Sequence, residues 1–423
     1  MTHAAAPSAT EATEHASSNA ERPLRVLRPR RAAPDHAVRP TRAEVDLSAL
    51  RHNLRVMKRV AGRARVLSVL KADGYGHGAP AVARTLERAG VDGIAVALLE
   101  EAIELRDAGI QLPILVMGGY YGQAYDELLA HELTPVVYDA SHFEGLGRAL
   151  GQRGAPVDRA KVHLKIDTGM SRLGVRVDDL QALLDVAASY PQLEIEAVMT
   201  HLSCADEQAA IADDSIAEQL RLFALGVAAI ERRGHRPRVL HAANSAAAIR
   251  ALHGKGKDAR FDAIRPGIAL FGVDPTPRSE GAALELKPTM RVRTEVVSLR
   301  KVPAGTPVGY GSTFRTERES TLATVPLGYA DGLPRNRSNV GSMLVRGKRA
   351  KIVGAISMDL CTLDVTDVEG VRLRDEVVAL GEQRGVHGVD TITVDEVARE
   401  ASLIAWDVMT SISRRVPRFY REP

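Results

Sequence analysis

The sequence predicts an α/β protein: a (β/α)8 barrel of the TIM type followed by a mainly β C-terminal domain. Three observations predict it. Eight short apolar runs alternate with helical stretches between Val66 and Ile264. After about Pro275 the helical periodicity fades and short alternating runs appear between Gly-rich turns. The chain has 423 residues, 45% hydrophobic and 26% charged, which is ordinary globular composition with room for two domains or more. A doubly wound open sheet shows the same alternation, so barrel closure is left to the structure.

Residues 1–42 carry seven arginines, no lysine and four acids, and are otherwise rich in Ala, Ser and Pro without periodicity. They read as a disordered leader, or alternatively as an arm for an anionic partner through Arg28, Arg30 and Arg31. Acids and arginines interrupt every stretch long enough for the ~7–15-residue apolar segment of a secretory signal. No run approaches the ~18 apolar residues of a membrane span, so no membrane partner is expected. The net charge is +3, all of it in this leader; the rest sums to zero and has no basic excess for nucleic acid. Cys204 and Cys361 lie far apart and in no metal-type spacing. A reduced, cytoplasmic setting without a metal is the expectation.

The barrel is placed at residues 43–280. Glu44–Leu47 reads as a strand, and Ser48 as the cap of a helix with Leu50, Leu54 and Met57 on one face. The eight barrel strands are then Val66–Leu70, Gly93–Ala97, Ile114–Met117, Pro135–Tyr138, Val162–Ile166, Ile195–Met199, Pro237–Leu240 and Phe261–Ile264. Helices such as Pro80–Ala89, with Pro in its first turn, and Glu100–Ala108 separate them. Residues 281–423 form the β-rich domain, with strands at Thr294–Leu299, Thr321–Pro326, Met343–Val345, Ala350–Ile356, Cys361–Val365 and Val377–Leu380. Only Val394–Trp406 looks helical there.

In a closed barrel the chemistry lies where the strands end. The first strand ends in Lys71-Ala-Asp-Gly-Tyr75-Gly-His-Gly. A lysine at the tip of a buried strand is either a snorkelling side chain or a Schiff-base amine, and composition alone leaves both readings open. The glycines match neither a Walker loop nor a dinucleotide fingerprint. The fifth strand ends in Lys165-Ile-Asp167-Thr-Gly-Met-Ser-Arg172-Leu-Gly, and the sixth in Thr200-His201. Asn244-Ser245 follow the seventh, and Arg265-Pro-Gly267-Ile268 the eighth.

These motifs, with Gly309-Tyr310-Gly311, Ser357-Met358-Asp359-Leu360 and Arg414-Arg-Val-Pro-Arg418, resemble the alanine racemase family in family order from about Ala43 to Pro423. The resemblance implies a pyridoxal 5'-phosphate enzyme that interconverts L- and D-alanine for peptidoglycan. It implies Lys71 as the covalent cofactor lysine and the base for D-alanine, and Tyr310 as the base for L-alanine. Tyr75, Ser245, Gly267 and Ile268 match phosphate-binding positions, and His201 and Asn244 positions lining the cofactor. Arg265 would face the pyridine nitrogen, and Arg172 would bind the substrate carboxylate. Lys165 matches a lysine that is carbamylated in many relatives. Met358 and Asp359 match substrate-binding positions, and Tyr310 and Met358 would reach the site from a second subunit, which implies a homodimer with composite active sites. One position departs from the pattern: Trp406 stands where the family carries a tyrosine on the cofactor phosphate. The alternatives are a broader amino-acid racemase, a basic-amino-acid decarboxylase of the same architecture, and a non-catalytic pyridoxal-phosphate carrier of the single-barrel kind.

Overall fold

The computed structural model describes residues 38–120, 124–152, 159–277 and 284–422. Eight parallel strands run in the order Arg65–Val69, Gly93–Leu98, Ile114–Gly119, Thr134–Val137, Ala160–Asp167, Leu193–Met199, Val239–His241 and Ala263–Ile264. The last strand pairs with the first through Ala263↔Arg65 and Ile264↔Val66. A parallel bridge Asn244↔Arg265, with Asp262 N–H on Leu240 O and Arg265 N–H on Ala243 O, joins the seventh to the eighth. Those bonds close the barrel and answer the open-sheet alternative.

Local sequence explains the helical layer. The helix Leu47–Ala61 buries Leu50, Leu54 and Met57 on one face. Its cap is Asp46 rather than Ser48: the Asp46 carboxylate accepts from the N–H groups of Ser48 and Ala49 at 2.8 and 2.9 Å. Ser48 donates its own hydroxyl to the same oxygen, so one residue serves the other. In the helix Ala79–Arg88, Pro80 sits where no helical N–H is needed, and Val82, Ala83 and Leu86 face the core. Each fully buried Val, Leu or Ile of this kind contributes roughly 1.5–3 kcal/mol.

The second sheet has ten strands, mostly antiparallel. Its centre pairs Met290–Glu295 with both Glu376–Gly385 and Arg42–Asp46, and the latter runs parallel to Arg418–Arg421. The strand that opens the 43–280 segment therefore belongs to this sheet, so the β-rich domain is built from both ends of the chain. Nor is the end of the leader disordered. Thr41 is buried and bonds Thr294 Oγ1 at 2.9 Å, Arg42 starts the strand, and Arg39 grips Asp331 with two bonds of 2.7 and 3.0 Å. Leader residues up to 37, and the division at 280/281, lie outside the described residues.

The helix foreseen at Val394–Trp406 is two helices, Val394–Ala401 and Ala405–Ser411. Ser402 ends the first in the left-handed conformation, φ 56°. Ala405 and Met409 of the second helix are buried in the barrel's own apolar cluster, which docks the two domains together. No described helix is long and apolar enough to cross a membrane.

Candidate active site

Directly after the first strand, Lys71–Tyr75 forms a tight turn of unusual handedness. Ala72, Asp73 and Tyr75 have φ of 52°, 59° and 52°, and Gly74 has 61°. Left-handed backbone costs an L-residue about 1–2 kcal/mol, so the turn needs outside support. Asp73 Oδ1 accepts from Ala79 N–H at 2.8 Å, and His77 Nδ1 lies 2.9 Å from Tyr75 O. Glu101 accepts from Ala72 N–H at 2.6 Å. From the second domain, Arg418 Nε donates to Gly76 O at 2.9 Å. Gly76 has φ 78°, and a Cβ there would lie 2.3 Å from Met409 O, so only glycine admits the helix Ala405–Ser411 this closely.

The turn delivers two side chains. Lys71 is largely withdrawn from water, and burial, then the nearby Arg172, lower its pKa while Glu101 opposes them. Tyr75 is buried, packs on Phe271 with centroids 5.1 Å apart, and sets its hydroxyl against Gly267. Burial raises the Tyr75 pKa, so the phenol stays neutral and keeps its proton to donate. Ser245 Oγ accepts the Gly267 N–H at 3.0 Å, which leaves its own hydroxyl proton for another acceptor. Tyr75, Ser245 and the start of the Ile268–Phe271 turn thus gather hydrogen-bond donors with no carboxylate among them, which suits a phosphate.

Basic residues complete the group. Arg265 is buried, and burial lowers its pKa to about 10, so it remains cationic at neutral pH. It donates to Thr200 O at 2.6 Å, to Ala242 O and His241 O at 3.0 Å, and to His241 Nδ1 at 2.7 Å. Because an arginine only donates, His241 carries its proton on Nε2 and passes a bond of 3.0 Å to His163 Nδ1. Glu196 lies 4.0 Å beyond His163 Nε2. His201 faces Arg265, Lys165, Arg172 and Lys71, and burial with those cations lowers its pKa to about 3, leaving a neutral ring. Lys165 is buried; desolvation, Arg265 and Arg172 bring its pKa to about 8.

Arg172 projects from a loop that Asp167 shapes. One Asp167 oxygen accepts from the N–H groups of Gly169, Met170 and Ser171 at 3.0, 3.0 and 3.1 Å. Gln219 ties this loop to its neighbour, donating to Thr168 Oγ1 at 3.2 Å and His201 O at 3.1 Å while accepting Ser203 N–H at 2.9 Å. Asn244 spends its side chain on structure: its oxygen caps the helix Ser245–Leu252 through Ala247 N–H at 3.0 Å, and its amide donates to Leu202 O at 3.4 Å.

The structure therefore gathers Lys71, Tyr75, Lys165, Arg172, His201, Asn244, Ser245, Arg265, Gly267 and Ile268 at one end of the barrel. It does not bring Tyr310, Met358 or Asp359 to them. Tyr310 is 74% exposed and Met358 52% exposed on the second domain, and Asp359 pairs with Arg415 at 2.6 Å. Among the described residues, no hydrogen bond or ion pair joins these three to the barrel group. Trp406 is half-buried against the barrel core, on the helix that packs against Gly76. Among the described residues, no group of His, Cys, Asp or Glu is placed to hold a metal ion. Sequence reasoning missed Glu101, Gln219, His163 and His241. Of these, His241 stood at a strand end and Glu101 in a helix's first turn, so both left a signal; Gln219 and His163 left none.

The model of the alanine racemase N-terminal domain matches residues 45–275, and that of the C-terminal domain matches 289–420. This chain belongs to the alanine racemase family. It is 56% identical over 400 residues to the alanine racemase of Sorangium cellulosum, covering 91% of this chain and 100% of that protein. The alanine racemase of Bacillus anthracis with bound L-Ala-P superposes with a TM-score of 0.81 at 31% identity, covering 91% and 95%. That of Bartonella henselae, which has covalently bound pyridoxal phosphate, gives 0.77 at 29%, covering 90% and 99%. Family membership brings pyridoxal phosphate as cofactor, and the residues present fit it. Lys71 is a desolvated amine, and the cradle of Tyr75, Ser245 and Gly267 is so close that a Cβ on Gly267 would lie 2.2 Å from the Tyr75 hydroxyl.

Proposed function

We propose that this chain interconverts L- and D-alanine, with Lys71 and Tyr310 as opposed proton carriers and Tyr310 arriving from a second copy of the chain. Lys71 would hold pyridoxal phosphate covalently. Tyr75, Ser245, Gly267 and Ile268 would hold its phosphate, with Trp406 nearby, while His201 and Asn244 line it and Arg265 faces the ring nitrogen. Arg172 would take the substrate carboxylate, oriented by Lys165 once that amine is carbamylated. A pKa of about 8 favours carbamylation, since the reaction needs an uncharged amine. Met358 and Asp359 would bound the substrate's small side chain.

Bound there, the cofactor supplies a conjugated electron sink that acidifies the substrate Cα–H. Lys71 takes or returns that proton on one face and Tyr310 on the other. Burial with Arg172 lowers the Lys71 pKa, the direction a base requires. Arg265 is held by imidazole and carbonyl groups rather than by a carboxylate. With an arginine there rather than an acid, the ring nitrogen would stay unprotonated, a restraint that favours returning the proton to Cα. It also weighs against the decarboxylase alternative, which needs an acidic partner there.

The observation that carries the proposal is the single cluster of Lys71, His201, Arg265 and the Tyr75–Ser245–Gly267 cradle at the barrel's carboxyl end. The homodimer is supported by Tyr310 and Met358, an aromatic and an apolar side chain left in the open on one copy. A cytoplasmic enzyme supplying D-alanine for peptidoglycan is the corresponding role. The test is racemisation of alanine, serine, lysine and arginine by the holoenzyme and by Lys71→Ala. Alanine should dominate and Lys71→Ala should be inactive. Equal turnover of all four, or an active Lys71→Ala without added amine, overturns the proposal.

A further inference from the structure

Glu101 lies outside the strand-end motifs, in the first turn of the helix Leu99–Asp107. Its two carboxylate oxygens do different things. Oε2 accepts from Ala97 N–H at 2.9 Å and Leu98 N–H at 3.0 Å, closing the end of the second barrel strand and the start of its own helix. Oε1 crosses to the neighbouring loop and accepts from Ala72 N–H at 2.6 Å. Ala72 follows Lys71 directly and opens the left-handed run that includes Asp73, Gly74 and Tyr75. Leu70 N–H meanwhile bonds Ala95 O at 2.8 Å, so Lys71 is bracketed on both sides by bonds to the second strand and its helix. Helix capping accounts for Oε2. It does not account for Oε1, which satisfies the backbone N–H next to the reactive lysine.

We propose that Glu101 is a positioning residue for Lys71, its carboxylate clamping the left-handed turn to the adjacent strand end so that the amine is presented in one orientation. The inference rests on the reading of Lys71 as the cofactor lysine. Reach rather than charge is what the clamp requires. Glutamate spans two loops, aspartate is one methylene short, and glutamine sets an NH2 group against backbone N–H donors on one of its two sides.

The experiment measures how fast apoenzyme captures pyridoxal phosphate, from the visible absorbance of the lysine-bound cofactor and from borohydride trapping with peptide mapping. Glu101→Gln and Glu101→Asp should both capture it at least about tenfold more slowly, in line with the ~10²-fold that a misplacement of ~1 Å costs a reacting group. Asp46→Ala removes the cap of a different helix, and is the control for lost stability. It should lower Tm yet capture at the wild-type rate. Wild-type capture by Glu101→Asp or Glu101→Gln overturns the inference, as does equal slowing in Asp46→Ala. Lys71→Ala separates the two claims. If it still traps the cofactor through another peptide, or shows the same absorbance, the Lys71 reading itself fails. If it does not, and the Glu101 variants match wild type, only the clamp fails.

Discussion

Replacing Gly267 with alanine tests the cradle where it is tightest. The added Cβ would lie 2.2 Å from the Tyr75 hydroxyl oxygen and 2.9 Å from its Cζ. Ordinary separation is about 3.5 Å or more, so the phenol must retreat by more than about 1 Å. It has little room, because Phe271 lies 5.1 Å away centroid to centroid and the Tyr75 backbone is already left-handed. Overpacking of this kind typically costs ~1–3 kcal/mol, and at 1.4 kcal/mol per tenfold that is about 5- to 140-fold in an equilibrium constant. If the phenol retreats from the cradle, the loss falls on cofactor affinity; if it is held, the loss falls on the stability of the apoenzyme. The pyridoxal-phosphate dissociation constant of the apoenzyme and its Tm therefore have to be measured together. A Gly267→Ala protein that binds the cofactor within twofold of wild type and melts at the same temperature would show that Tyr75 and Gly267 are not in contact as described.

Tyr310→Phe should suppress Cα-proton exchange of L-alanine by ~10²–10⁴-fold, the usual cost of losing a general base, and that of D-alanine far less; equal losses refute the face assignment. Mixing inactive Lys71→Ala with inactive Tyr310→Phe should restore roughly a quarter of wild-type activity if sites are composite in a two-fold dimer, and none if each copy is self-sufficient. Trp406→Tyr should alter the pyridoxal-phosphate dissociation constant or the alanine-to-serine ratio of kcat/KM, because an indole donates a hydrogen bond but accepts none; if both stay within about twofold, Trp406 only packs. His77 and His163 are buried and His201 is half-buried among cations, and their pKa values fall from 6.5 to about 4, 4 and 3. The unfolded chain then binds protons the fold cannot, so stability is lost as pH drops below 6.5, by roughly 2 kcal/mol per histidine at pH 5. Tm should decline steeply from pH 7 to pH 5, and a flat profile over that range refutes the neutral, buried assignment.

The parts legible in the sequence were those written in local pattern. Eight apolar runs separated by amphipathic helices specify barrel strands because each strand needs only a buried run and each helix only one apolar face. Lys71 stood out because a charge at the tip of such a run contradicts the pattern around it. Partnership was not legible. Arg42–Asp46 reads as a strand wherever it is placed, and nothing within its five residues says that it pairs with Met290–Glu295 and Arg418–Arg421 rather than with the barrel. The same holds for Asp46 and Ser48, both good capping residues two positions apart, where a two-residue shift of the helix start decides which carries the cap.

What remained hidden is the support of the reactive groups, and the reason is physical. Glu101, Gln219, His241 and His163 act through hydrogen bonds that include partners 29, 51, 24 and 78 positions away. Such bonds have no period and no composition, only a distance that folding creates. Yet they anchor the charged groups and loops of the candidate site. His241 fills the acceptor role toward Arg265 that a carboxylate would otherwise take, so the guanidinium stays anchored without a negative charge inside the barrel. That arrangement demands a neutral His241, and the tautomer in turn demands an acceptor on its far side, which is His163. The polar column through the barrel interior is thus a consequence of Arg265. Once a cation is buried there on imidazole and carbonyl groups, the layers beneath it must be built from neutral groups that can both accept and donate, and histidine is the side chain that does both while filling a core.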